Sequence, residues 1–331
     1  MPLASSFELS TKKGNESYVF PILDHGNRTI KYQVHTDTEK PPKSGKISRG
    51  AKFQCIMCKE TVSDDYIKQE SSSEKFGSEL LAIVAEGKRG RIFLSPEEEH
   101  SLIANCPKPE VGPDQSLPND PRNIWCVNYG LNTYEKLFTN RQLTTLTTLS
   151  DLIKEIQQTA EADAVKAGLP DDHIPLEKGG KGALAYSQAI TVYLSFLIDK
   201  MADYHSANCS WVSCTEYIAH TFTRQAIPMI WDYAEANPFS GSTGSFDNML
   251  EWITRSVRQF PASSKGTAIQ ADAQSDCTLR NIMISTDPPY YDNIGYADLS
   301  DYFYVWMRRS LKDIFPSLFG TLLVPKMEEL V

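Results

Sequence analysis

The chain has 331 residues, room for roughly two domains of ordinary size, and its 41% hydrophobic and 23% charged residues are those of a soluble globular protein. No apolar run approaches the ~18 residues that a membrane span needs, and Met1–Gly14 lacks the apolar core of a signal peptide, so a cytoplasmic protein with no membrane partner is expected. The net charge of −9 argues against a protein that grips nucleic acid with its whole surface.

Charge is unevenly spread, however. Between Lys12 and Lys52 there are nine Lys/Arg against four Asp/Glu; such a patch can serve a nucleic acid or be a plain solvated surface. Seven cysteines, an odd number scattered along the chain, speak against a secreted disulfide framework.

The first region, about 1–112, is rich in turn residues and short apolar runs and reads as β-rich. Lys40–Gly50, with two prolines and two glycines, is a loop. Cys55-x-x-Cys58 sits in this basic stretch with the spacing of a zinc-ribbon knuckle, although a structural zinc needs four ligands. Cys106, His25, His35 and His100 have no diagnostic spacing to complete it; two ordinary thiols are the alternative. Leu80–Ala85, a turn at Glu86–Gly90, and Arg91–Leu94 predict a strand–turn–strand hairpin. Prolines 107, 109, 113, 118 and 121 mark a linker.

The second region, 113–260, reads mostly as helices. Thr139 followed by Gln142 is a capping box, opening a helix that runs to about Lys166. Ala183–Tyr204 is apolar on more than one face and predicts a buried helix. Thr215–Glu235 predicts a third helix, bent or broken at Pro228, and Phe246–Phe260 a fourth. His205 and His220 read as core or helix-surface residues rather than bases. Cys209 and Cys214 read as core residues, and Lys178-Gly-Gly-Lys-Gly182 lacks the strand and spacing of a phosphate loop.

In the third region, 261–331, Gly266–Gln270 and Asn281–Thr286 read as short strands and Ala297–Phe315 as a helix, with Tyr302 and Trp306 in the core. Strand, acidic turn, strand, loop and helix in that order predict the edge of a doubly wound α/β sheet. The most informative stretch is Asn281-Ile-Met-Ile-Ser-Thr286-Asp287-Pro288-Pro289-Tyr290-Tyr291-Asp292. An apolar strand runs straight into Asp-Pro-Pro-Tyr, at the place where open α/β sheets bind ligands. The chemistry suits an exocyclic amine on a nucleobase, which is a poor nucleophile because its lone pair is delocalised. A carboxylate and a rigid carbonyl, each accepting one N–H, draw the nitrogen toward a tetrahedral geometry. An aromatic ring can stack on a base flipped out of the duplex. A Pro-Pro turn after a buried strand is the plainer reading.

This motif resembles that of the S-adenosylmethionine (AdoMet)-dependent N6-adenine and N4-cytosine DNA methyltransferases. The resemblance implies that Asp287 and the Pro288 carbonyl bind the amine, Pro289 shapes the turn, and Tyr290 stacks on the base. Asp272, at the end of the strand-like run Thr267–Ala273, stands where such enzymes often place an acidic residue near the AdoMet adenine. Gly130-Leu131, Leu137–Gln142, Phe222–Phe239 and Asp287–Leu311 together resemble the large adenine-specific DNA methylases with a DUF1156-type N-terminus, some of them found in anti-phage loci. That likeness implies a Rossmann-like methyltransferase core (261–331) with a helical insertion (113–260) and a zinc-ribbon-like N-terminal remnant (1–112).

The same likeness implies an incomplete core. Nothing in residues 1–60 matches the Asp-Pro-Phe-x-Gly-x-Gly loop that cradles AdoMet, and the chain ends soon after Pro289. Asn237–Gly244 (NPFSGSTG) resembles that loop but lacks the leading Asp, and it reads better as a loop with a left-handed glycine. The expectation is therefore a restriction–modification or anti-phage DNA methyltransferase fragment, inactive alone if a companion chain supplies the cofactor loop. N4-cytosine methylation and a catalytically silent DNA-binding or scaffold subunit are the alternatives. Glutamine methylation of a protein ranks lower, because it usually pairs with Asn where Asp287 stands.

Overall fold

A computed structural model of the chain describes residues 1–36, 43–261, 266, 268, 280–287 and 294–326. Its N-terminal part is built from β1 (Glu8–Ser10), β2 (Ser17–Asp24) and β3 (Thr29–His35), an antiparallel sheet in that order. The β2–β3 register runs from Tyr18 opposite His35 to Asp24 opposite Thr29. Asp24 closes the turn between them by accepting the Gly26 and Asn27 N–H groups at 2.9 and 3.0 Å, and Arg28 adopts φ 56°. Val19 and Tyr32 turn inward onto Ala4, Phe7 and Ile56, a small core of their own.

Next come a short hairpin, β4 (Phe53–Gln54) and β5 (Thr61–Val62), and helix α1 (Asp64–Ser72), capped by the Ser63 hydroxyl. The expected second hairpin is present as β6 (Ile83–Gly87) and β7 (Gly90–Leu94), followed by α2 (Glu98–Ile103). The proline-rich stretch after it is irregular.

Helices dominate the rest. The Thr139–Gln142 capping box forms as read and opens α3 (Asn140–Lys166); Gly168 at φ 93° follows its end. Helix α4 (Ala183–Tyr204) has the bounds its apolar pattern predicts. It lies between α3, α5 (Phe246–Gln259) and α6 (Tyr296–Leu311). A short α7 (Pro316–Phe319) follows, since Pro316 cannot continue α6 and Phe315 before it is pushed out of helical geometry. No helix among the described residues is long and apolar enough to cross a membrane.

One core joins these parts. Ile124, Tyr134 and Leu137 from the linker, Leu143 and Leu146 from α3, Leu197 and Met201 from α4, and Tyr302 and Trp306 from α6 are all essentially inaccessible. Phe138 stacks on Tyr302 at 5.6 Å and meets Trp306 edge-on at 5.4 Å. The Tyr302 hydroxyl donates to the Ala202 carbonyl at 2.7 Å. So α6, sequence-adjacent to the Asp-Pro-Pro-Tyr motif, packs into the same core as the helices of 113–260.

Four expectations are corrected. Thr215–Glu235 is not a helix. β8 (Ser210–Val212) and β9 (Tyr217–Ala219) form a hairpin whose turn carries Glu216 at φ 58°, and the chain then runs on irregularly, in turns, bends and isolated bridges. Several of its backbone groups bond to other segments: the Ile227 N–H donates to the Asn123 carbonyl at 2.7 Å, the Trp125 N–H to the Ile227 carbonyl at 3.1 Å, and the Ala234 N–H to the Cys209 carbonyl at 2.9 Å. Pro228, which has no N–H, sits mid-run, and its carbonyl accepts the Asn208 side chain. Cys214 lies exposed beside this turn, while Cys209 is buried as expected.

Asn281–Thr286 is not a strand either. It is irregular, with Ile282, Met283 and Ile284 exposed by 47, 97 and 74%. A strand exists only where a neighbour takes up its N–H and C=O groups, and no described strand lies beside this run. All four sheets among the described residues are antiparallel pairs or triplets, so the expected doubly wound parallel sheet is not seen there.

The N-terminal β region docks on the same irregular run. Trp231 meets Phe53 edge-on at 5.6 Å and Tyr129 at 5.0 Å, while Asp232 accepts the Ser5 and Ser6 N–H groups. Farther along, the Glu216 carboxylate accepts from Ser10 (2.7 Å), Lys12 (2.8 Å) and Asn15 (2.9 Å). Burial works to raise the Glu216 pKa, but these donors outweigh it and hold the group below the ordinary glutamate range.

Two outcomes follow. Glu216→Gln should lower stability at pH 7 by about 1 kcal/mol. Because the folded pKa is depressed, that contribution is present above the unfolded glutamate pKa and vanishes as pH falls through the folded value. Urea melts over a pH series should thus show the full difference at pH 7 and a shrinking one as pH falls below the ordinary glutamate range. Trp231→Ala should make residues N-terminal to Gly130 protease-sensitive before the helical core, read by limited proteolysis and mass spectrometry.

Candidate functional site

Of the residues assigned to the amine-binding motif, Asp287 is described and exposed. Pro288, Pro289 and Tyr290 lie outside the described residues, as does Asp272. Immediately beyond the motif the chain re-enters described structure at Ile294 and Gly295, which opens α6 without a capping side chain.

The start of α6 is tied to the irregular run after β9 by Asn123. With its amide turned to satisfy both neighbours, the Asn123 side chain donates to the Gln225 carbonyl at 3.1 Å and accepts the Gly295 N–H at 3.3 Å. A Cβ at Gly295 would stand 3.2 Å from the Asp120 carboxylate, so the close approach favours glycine. Asp120 is itself clamped by Arg122, whose Nε and Nη2 reach its two oxygens at 3.0 and 3.2 Å. That guanidinium holds the Asp120 carboxyl below the usual range.

Between the two tied segments lies an open cavity of about 350 Å³. Phe222, Leu299 and Phe303 line it with apolar surface, and Thr223, Arg224, Gln225, Tyr296 and Ser300 complete the wall. Phe222 and Phe303 are 5.2 Å apart, and Phe222 also packs edge-on against Tyr302 at 5.1 Å. Arg224 rests over the Trp125 ring at 5.1 Å. Trp125 is fixed in turn by its Nε1–H, which donates to the Pro121 carbonyl at 2.8 Å. One turn into α6, Lys326 pairs with Asp298 at 3.2 Å and also with the fully buried Asp301. These residues were hidden in the sequence because Thr215–Glu235 reads as helix, which would scatter residues 222–225 around an axis. The signal available was Pro228, which weakens that reading.

The Cys55–Cys58 pair forms a tight knuckle at the tip of the β4–β5 hairpin. The Cys55 N–H donates to the Glu60 carbonyl at 2.8 Å, and its own carbonyl accepts the Lys59 N–H at 2.9 Å, with Lys59 at φ 65°. Burial works to raise the Cys55 pKa, but the backbone N–H groups of Cys58 and Met57 and the Cys58 thiol outweigh it and favour the thiolate. Such a turn suits two zinc ligands. Among the described residues no third His, Cys, Asp or Glu closes on the pair, so it offers half of a structural site.

Other candidates resolve as structure. His205 is buried, bonds the Gly244 carbonyl at 2.6 Å, and is held neutral by burial. Gly244 has φ 91°, and a Cβ there would come within 2.8 Å of Ala236. The Asn237–Gly244 loop is therefore closed on its own glycine and leads into α5 through the Ser245 cap. It does not follow a described strand. Gly180 in the Lys178–Gly182 run has no room for a side chain against the Ile174 carbonyl, so that loop is a turn before α4. His220 pairs with Asp203 at 3.1 Å. An exposed trio that the sequence did not suggest, Glu161, Asp171 and His173, clusters at the end of α3.

At pH 7.5 iodoacetamide should modify Cys55 well before Cys126, whose pKa burial pushes up to about 12, and before buried Cys209. Peptide mass spectrometry reads the order, and equal rates at Cys55 and Cys126 would refute the thiolate assignment. The chain matches no family model, no characterised protein and no solved structure.

Proposed function

We propose that the chain is the target-handling part of an amino-group DNA methyltransferase, acting on adenine N6, with a Rossmann-like core that is completed outside the described residues. The observation that carries this reading is the run Asn281–Asp292, in which an apolar segment leads into Asp-Pro-Pro-Tyr and then into a core helix. Two features support it. The Asp287 carboxylate is exposed, as a group that must meet a substrate has to be. Helix α6 is anchored in the main core by Tyr302 and Trp306, so the motif is attached to a rigid element.

The chain's own contribution is confined to the amine. Asp287 accepts one N–H of the exocyclic amino group and the Pro288 carbonyl accepts the other, which raises electron density on nitrogen along the open direction. Pro289 fixes the carbonyl's aim, and Tyr290 stacks on the flipped base, worth ~1–3 kcal/mol. S-adenosylmethionine would supply an electrophilic methyl group. On this reading its binding would fall to Asp272 and the segments around it or to a companion chain. Zinc at Cys55 and Cys58 would be structural, with its remaining ligands from elsewhere.

A second reading is a DNA-binding or scaffold subunit without its own activity, favoured by the closed Asn237–Gly244 loop. A single variant separates the two. Asp287→Ala should cut incorporation of tritiated methyl into DNA by at least ~100-fold while leaving DNA affinity within about twofold, the size of a lone surface change. Methylation that survives the substitution would sink the enzyme reading. Digestion of labelled DNA to nucleosides separates N6-methyladenine from N4-methylcytosine.

A further inference from the structure

We propose that the cavity between Phe222–Gln225 and the first turns of α6 is a second DNA subsite, which takes one unstacked nucleotide within a helical turn of the target base. The proposal rests on the reading of the chain as a DNA-acting protein, and it assigns a role to residues outside the Asp-Pro-Pro-Tyr motif.

Size, chemistry and charge agree. About 350 Å³ is at the small end of ligand pockets and suits a single nucleotide rather than a duplex groove. Its aromatic lining, with Tyr296 exposed by 48% at the mouth, offers faces on which any base can stack. Gln225 on the wall carries both a donor and an acceptor for a base edge.

One cation at the mouth is left for a phosphate. Asp120 is paired with Arg122, while Lys326 is shared between Asp298 and the buried Asp301. Arg224 forms no ion pair among the described residues. It is exposed and held in place only through the Trp125 ring, so its guanidinium edge is left for an anion.

Reach fixes which part of the DNA is meant. The eight residue steps from Asp287 to Gly295 span at most about 28 Å. That is less than the roughly 34 Å of one duplex turn, so a nucleotide in the cavity belongs to the same turn as the base at Asp287.

The test uses the full chain and a fluorescein-labelled 20-base DNA, as single strand and as duplex, with affinity measured by anisotropy across a salt series. Arg224→Gln should weaken binding about tenfold and reduce the slope of log K against log salt by about one. Tyr296→Ala should weaken single-strand binding by about 5–100-fold, and Tyr296→Phe should restore it. Both sites are exposed, and circular dichroism checks folding. Unchanged affinity and slope in folded Arg224→Gln and Tyr296→Ala would overturn the proposal, as would a wild-type chain that binds neither DNA. Loss of AdoMet binding in these variants with DNA affinity intact would overturn it too, by making the cavity a cofactor site. Methyl transfer by wild type and Asp287→Ala is scored separately. Inactive wild type with cavity-dependent DNA binding removes the enzyme reading and keeps the subsite; an Asp287-dependent enzyme indifferent to Arg224 and Tyr296 does the reverse.

Discussion

Two backbone hydrogen bonds organise much of this molecule: Ile227 N–H to the Asn123 carbonyl, and Trp125 N–H to the Ile227 carbonyl. They make a parallel bridge between segments about a hundred residues apart, with Ile124 and Ile227 both sealed in the core. On one side of that bridge, Trp231 and Asp232 receive the N-terminal β region. On the other, Phe222–Gln225 is brought against the start of α6. Buried backbone groups must be paired, and once this pair forms, neither flanking stretch is free to choose another partner.

Sequence legibility followed locality. The capping box at Thr139, the α4 apolar run and the β6–β7 hairpin could be read because their determinants lie within a few residues of each other. The run from Thr215 to Glu235 could not be. Its apolar spacing permits a helix, but Ile227 is held by Asn123 and Trp231 by Phe53 and Tyr129, contacts that no local pattern encodes. The site divides in the same way. Asp287 stood out through the chemistry of four consecutive residues, whereas Arg224 and Tyr296, 72 positions apart, become neighbours only through the bridge and the Asn123 tie.

The candidate function rests on two kinds of residue with different physical demands. Groups that handle an amine must be held rigidly, and on the proposed reading the nearest described anchor is α6, which buries Tyr302 and Trp306 in the main core. Groups that meet a long polyanion can be exposed and screened, as Arg224 is over Trp125. An acidic protein can on this reading still address DNA where a carboxylate near the contact is tied to a cation, as Asp120 is to Arg122.

The bare run Ile282–Ile284 has a consequence for how the protein behaves in bulk. Three neighbouring apolar side chains on backbone without a ladder are a template for edge-to-edge pairing with another copy. Encounters between two such runs grow with the square of concentration, while the net charge of −9 resists them through a repulsion that salt screens away. Colloidal stability thus becomes a contest between one short greasy stretch and the acidic surface, tilted toward clumping by concentrated stocks and salty buffers.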